Sequence, residues 1–196
     1  MSDPLAPWRS ILSRSLHLNR SLPNARYFQL ATLTLDGKPA NRTVVFRGFR
    51  ENTNQLQIIT DARSEKISQI HASEWGEICW YFPNTREQFR LSGSIEIISA
   101  KDTDSENRKA RDRVWRELSD SARIQFAWPC PKRPRDGNPE AFTPAQPSDT
   151  EPLENFCLLL FNPVSVDHLQ LKGNPQDRVI YTQNDVGEWC VESVNP

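Results

Sequence analysis

The chain has 196 residues, and its 24 basic against 25 acidic residues leave a net charge of −1. That balance removes the general attraction to phosphate backbones on which nucleic-acid binding rests. No run approaches the roughly 18 apolar residues of a membrane-spanning helix, and the start of the sequence lacks a compact apolar stretch with a small-residue cleavage site. A cytoplasmic protein without nucleic-acid or membrane partners is therefore expected.

Length and a hydrophobic content of 37% suit one domain with a well-buried core over residues 1–196. The first element is an amphipathic helix at about 7–22, where Trp8, Ile11, Leu12, Ser15 and Leu16 recur at helical spacing and arginines take other positions. Packing on the body of the protein is the commoner fate of such a helix, and a membrane-surface role is the alternative. A strand over 27–35 follows, then Asp36-Gly37, the strongest hairpin signal in the chain, then a strand over 39–49.

Residues 41–70 carry most of the chemistry. Arg42 and Arg47 bracket Thr43, Val44, Val45 and Phe46, a composition that fits a half-buried pleated strand with charged ends. Asn52, Thr53 and Asn54 supply turn chemistry before a second strand over 56–60, so the pair reads as a hairpin. Ser64, Glu65 and Lys66 then open a helix carrying Ile67 and Ile70, and its free N–H groups with Ser64 and Lys66 make a candidate anion site. Strand-end arginines and a Ser-x-Lys helix start are also ordinary surface residues, and spacing does not decide between the readings.

Further along, 78–82 is a short apolar strand, and 88–99 is a strand whose Gln88, Arg90 and Ser92 share one face. Residues 102–127 are highly charged and read as one or two helices. The proline-rich stretch at about 128–152 reads as a long loop, either a lid over a cofactor or a segment without a role. Strands over 156–161, 167–171, 178–182 and 188–191 complete the pattern. Cys79, Cys130, Cys157 and Cys190 lack the paired spacing of zinc sites, as do the three histidines, so no metal is expected. Cys79, Cys157 and Cys190 lie in apolar runs and read as buried thiols.

The order of these motifs resembles the FMN-binding domain of the pyridoxamine 5′-phosphate oxidase family, over residues 27–93 and again over 155–196. The resemblance implies a β-rich α+β fold, an FMN-binding split β-barrel with peripheral helices, working as a homodimer with FMN at the interface. Carried onto this sequence, the cofactor would touch Arg42, Thr43, Val44, Val45, Phe46, Arg47, Ile59, Thr60, Ser64, Lys66, Gln88 and Arg178. The last two would reach across the dimer. No catalytic residue is singled out.

The departures from the family matter as much. Glu65 stands where the oxidase has a second phosphate-binding Arg. The oxidase's closing Arg-x-His-Asp-Arg, whose first Arg and His hold the pyridoxal ring, is here Asn174, Pro175, Gln176, Asp177 and Arg178, and its flavin-side Trp aligns with Leu169. Its substrate-phosphate Tyr, Arg and Ser are matched only loosely by Trp115, Ser119 and Arg123. The resemblance thus implies an FMN-dependent oxidoreductase with an altered small-molecule site, or else a flavin-binding protein for storage or sensing without turnover.

Overall fold

The computed structural model describes residues 5–196. In chain order it forms α1 (Pro7–Leu18), β1 (Tyr27–Leu33), β2 (Pro39–Val45), β3 (Leu56–Asp61), α2 (Glu65–Ala72), β4 (Trp75–Phe82), β5 (Glu87–Ile98), α3 (Ser105–Arg116), α4 (Asp120–Arg123), β6 (Phe156–Gln170), β7 (Asp177–Gln183) and β8 (Trp189–Val194). The strands pair antiparallel in the order β2-β1-β4-β5-β6-β7-β8, and β3 joins by pairing with β6. The expected β-rich sheet with helices at its periphery is what forms.

One strand sets the curvature. The sequence reads as two strands over 156–161 and 167–171, whereas β6 is continuous across Asn162 and Pro163. Proline lacks a ladder N–H, so it is tolerated in a strand only where pairing is interrupted. Opposite it, the β5–β6 register shifts between Ser92 and Gly93. A Cβ on Gly93 would stand 1.9 Å from the Asn162 carbonyl oxygen, so only glycine permits this approach. Beyond this bulge β6 exchanges its second neighbour: residues 156–161 pair with β3, and 165–170 pair with β7. The sheet thereby rolls around the core of Phe28, Leu30, Ile58, Trp80, Phe89 and Val166, all fully buried.

Helix α1 packs across this roll, with Trp8 edge-on to Trp189 at 5.8 Å. It stops at Leu18, short of the expected residue 22, because the buried Asn19 donates from Nδ2 to the Ser15 carbonyl at 2.8 Å and accepts from the Asn84 N–H at 2.8 Å. Helix α3 covers the opposite side of β6 through Ala110, Val114 and Trp115, and Leu118 just beyond its end joins the same cluster. The buried Arg111 donates to the Phe156 and Leu153 carbonyls, at 3.0 and 2.7 Å. Cys157 is buried and Cys79 half-buried, but Cys190 is exposed, because β8 ends the sheet and presents this face to solvent.

A polar contact is sealed beneath α1. Ser15 Oγ donates to Glu87 Oε2 at 2.7 Å, and Glu87 Oε1 lies 3.1 Å from Nε2 of His168, which stacks on Phe89 with ring centres 4.2 Å apart. Burial pushes His168 below its ordinary value of 6.5, with Glu87 and, more weakly, Asp167 acting the other way. A base whose folded value is depressed favours folding when neutral. Its contribution is therefore intact above 6.5 and is lost as pH falls from there through the folded value. Unfolding titrations between pH 5 and 8 should show stability declining below 6.5 in the wild type and a shallower decline in His168→Gln. Superimposable profiles would contradict this.

Candidate functional site

The site begins where two strands part. β2 and β3 are joined at one end only: the Arg47 N–H donates to the Gln57 carbonyl, the Gln57 N–H returns to Gly48 (both 2.8 Å), and Phe49 bridges to Leu56. Gly48 has φ of +121°, a conformation open to glycine, and it turns the chain out of the strand expected to run on to residue 49. Beyond this junction β2 follows β1 and β3 follows β6. The expected hairpin is thus an opening cleft, and β2 keeps one edge without a strand neighbour.

A cavity of about 790 Å³ occupies this cleft, within the range of small-molecule and cofactor sites. Thr43, Val44, Val45, Arg47, Ile59, Thr60 and Lys66, all expected site residues, line it. Phe46 instead points into the core, with its ring 5.1 Å from those of both Trp80 and Phe49.

At the α2 end, Lys66 Nζ donates to Thr60 Oγ1 at 2.9 Å and Ser64 Oγ at 2.8 Å. Each hydroxyl accepts from the ammonium and so retains its own proton for an outside acceptor. Ser64 makes no side-chain cap, which leaves the first-turn N–H groups without a side-chain acceptor. Burial, and next the charge of Arg42, push Lys66 below its ordinary value, with Asp61 opposing. A bound dianion would relieve both effects. Cation, hydroxyls and helix start together fit a phosphate ester.

Arg42 has a different immediate task. Its Nη1 donates to the Leu30 carbonyl at 3.1 Å and Thr32 Oγ1 at 2.7 Å, and Nη2 to Gln69 Oε1 at 2.8 Å. Thr32 also donates to Gln69 at 2.7 Å. Arg42 therefore bolts β1, β2 and α2 together and fixes the helix that carries Lys66, keeping Nε and one Nη2 hydrogen in reserve. Thr32 and Gln69 were invisible in the sequence because the contact joins elements 27 to 37 positions apart.

The opposite wall is the proline-rich segment. Residues 128–136 and Phe142 line the cavity across from β2 and β3. The root of the segment is fixed: Arg63 Nη2 donates to the Phe126 and Trp128 carbonyls at 3.2 and 3.1 Å while pairing with Asp61 at 2.6 Å, and Asn155 bridges Asp61 to Phe126. Two donors on the cavity wall, Arg47 Nε and Trp128 Nε1, are buried with no hydrogen-bond partner among the described residues. Unpaired buried donors are costly, and an acceptor-bearing ligand in the cavity satisfies them. Burial, followed by repulsion from Arg26, holds Arg47 below its ordinary value.

Gln88 and Arg178 lie elsewhere. They stand in one register row, Tyr81–Gln88–Leu169–Arg178, on the outer face of the sheet. Arg178 is bidentate to Asp167, at 3.0 and 2.6 Å, and Asp167 lies 3.8 Å from Arg90, which pairs with Glu77 at 2.7 Å. Trp115 is core, and the buried Arg123 donates to the Leu118 carbonyl at 2.6 Å, so neither faces the cavity. Among the described residues no group of His, Cys, Asp and Glu side chains could hold a metal ion, and no helix is long and apolar enough to cross a membrane.

The family model described as "Pyridoxamine 5′-phosphate oxidase, FMN-binding domain" matches residues 5–99, which include the whole β2–β3–α2 cradle. Pyridoxine/pyridoxamine 5′-phosphate oxidase 2 of Arabidopsis thaliana is 38% identical over 198 residues, covering 100% of this chain and 100% of its own. The chain belongs to the pyridoxamine 5′-phosphate oxidase-related family. The family's domain binds FMN, and the donor set around Lys66 fits that cofactor's phosphate. A solved relative, a pyridoxamine 5′-phosphate oxidase-related, FMN binding protein of Nostoc punctiforme, is 56% identical over 98% of this chain and 100% of that chain, with a TM-score of 0.96. PhzG of Burkholderia lata shares the fold at 17% identity and TM-score 0.77, over 99% and 98% of the two chains.

Arg42→Met should lower the stability of the protein without cofactor by about 1–3 kcal/mol, since it strips partners from buried polar groups. Urea unfolding of the variant at wild-type stability would show that the Arg42 contacts are not structural.

Proposed function

We propose that this protein is an FMN-dependent oxidoreductase acting on a small molecule other than pyridoxamine 5′-phosphate. The observation that carries the reading is the cleft itself: an anion cradle at Lys66, an unpaired strand edge at Thr43 and Val45, and two unsatisfied donors converge on one cavity. Lys66, Ser64 and Thr60 would hold the cofactor phosphate. The edge of β2 offers backbone groups to the ring system, and Arg47 places a positive charge beside it. When bound, FMN supplies the two-electron chemistry, so the protein needs to position and exclude water more than to donate protons. Asn174 and Gln176, in place of the ring-holding Arg and His of the oxidase, support a changed substrate.

A homodimer is part of the proposal. Gln88 and Arg178 do not line the cavity of their own chain, and their outer face exposes Tyr27, Leu33, Trp75 and Tyr81, each more than 40% accessible. Exposed aromatics on a sheet face suit burial by a second copy, which would bring Gln88 and Arg178 to the partner's cofactor.

Purified protein should carry FMN that is reduced by a nicotinamide donor or a substrate and reoxidised by oxygen, with no turnover of pyridoxamine 5′-phosphate. Bound flavin inert to a broad panel would assign the protein to storage or sensing instead. Lys66→Ala should weaken FMN by about 1.5–3 kcal/mol, as for a hydrogen bond to a charged group, and leave riboflavin binding unchanged. Equal FMN affinity in fluorescence titrations would remove Lys66 from the phosphate site.

A further inference from the structure

Arg178 does not stand alone on the outer face of the sheet. Four charged side chains from four neighbouring strands alternate in sign there: Glu77 on β4, Arg90 on β5, Asp167 on β6 and Arg178 on β7. Arg90 Nε donates to Glu77 Oε1 at 2.8 Å, and Ser92 Oγ donates to the other carboxylate oxygen at 3.3 Å. Arg90 and Asp167 are direct cross-strand partners, with Nη1 and Oδ2 3.8 Å apart. Asp167 closes on Arg178 side-on, accepting from Nε at 3.0 Å and from Nη2 at 2.6 Å. An isolated surface pair contributes little because it immobilises two long side chains, but a side-on arginine pair inside a network holds a defined geometry.

The chain has two consequences for Arg178. Its pose is fixed from within its own subunit by a carboxylate that is only 16% accessible, and three of its five N–H donors stay free. Its charge is also answered: the hydrogen bonds and charge of Asp167 hold the guanidinium above its ordinary value, while the four groups together sum to zero. Gln88, two residues from Arg90 on the same face, is oriented in the same way. Its Oε1 accepts from the Cys79 thiol at 3.9 Å, which leaves its Nε2 donors without a partner among the described residues. Burial pushes that thiol up, so it remains a donor.

We propose that Asp167 is a positioning residue for a flavin bound by the partner subunit: it fixes Arg178 and offsets its charge, so that the Glu77–Arg90–Asp167–Arg178 chain tunes the reduction potential of FMN. The proposal rests on the reading of the cleft as the FMN site and on the homodimer that brings Arg178 to it. A positive charge beside the ring favours the reduced, anionic flavin. Asp167 restrains that effect, and Arg90 in turn offsets Asp167, so the two residues act with opposite sign.

The test is the midpoint potential of FMN bound to the full-length protein, measured by reduction against a reference dye. Asp167→Asn keeps the shape and one acceptor for Arg178 but removes the charge. It should favour reduced over oxidised flavin about tenfold more than the wild type does, equivalent to about 30 mV for a two-electron couple. Arg90→Gln should move the potential the other way by a smaller amount. Asp167→Ala, which also frees the pose of Arg178, should in addition raise the FMN Kd severalfold in fluorescence titrations. An unchanged potential in Asp167→Asn, or shifts of the same sign in Asp167→Asn and Arg90→Gln, would overturn the proposal, because loss of a merely structural contact carries no such sign. Arg178→Gln separates the causes. If it alters the potential or the FMN Kd while Asp167→Asn alters neither, only the role of Asp167 fails. If Arg178→Gln also alters neither while Lys66→Ala still weakens FMN, the placement of Arg178 across the dimer fails, and if Lys66→Ala has no effect either, the cleft reading fails with it.

Discussion

The candidate site of this protein depends on the parting of β2 from β3. An antiparallel hairpin normally zips its two strands together, and the sequence around residues 39–60 looks built to do so. Here pairing stops at the Arg47–Gln57 junction because Gly48 turns the chain and β3 finds a better partner in the first half of β6. β2 becomes a terminal strand with a free edge, normally a liability for edge-to-edge association. Flanked by α2 on one side and the proline-rich segment on the other, that edge becomes the floor of a cavity.

The parting is sustained by structure remote from the cleft. Only because β6 bends at Pro163, against the missing side chain of Gly93, can one strand serve β3 at its start and β7 at its end. Arg42 works at the other side, with two hydrogen bonds to β1 and one to Gln69 that holds α2 against the free sheet margin. Binding groups are thus placed by a scaffold whose own polar contacts are nearly all internal. Of the buried side-chain donors without a partner among the described residues, Arg47 Nε and Trp128 Nε1 are the two on the cavity wall.

Much of this was legible in the residues. Asp36-Gly37 marked its hairpin, and Ser64 and Lys66 marked a helix start, because both signals are local. Alternation in β5 placed Gln88, Arg90 and Ser92 on one face, as found. What the sequence withheld were long-range pairings. Arg42 reads as a phosphate ligand, and its bonds to Thr32 and Gln69, which tie three elements together, have no local signal. Asn162-Pro163 reads as a strand break until Gly93 is found opposite. The Lys132–Glu65 pair joins the proline-rich segment to the first turn of α2, and no periodicity announces it.

The departures from the family pattern form a consistent set on the structure. Glu65 pairs with Lys132 of the proline-rich segment, and under the proposed reading Asn174 and Gln176 stand where the oxidase holds its vitamin substrate. The central claim is that the β2–β3 cleft is the FMN site, with the phosphate at the α2 start. A crystal structure of the protein saturated with FMN tests it most directly: the account predicts the phosphate in contact with Lys66, Ser64 and Thr60 and the ring system along the edge of β2. Flavin density anywhere else, or a phosphate turned away from α2, would contradict it.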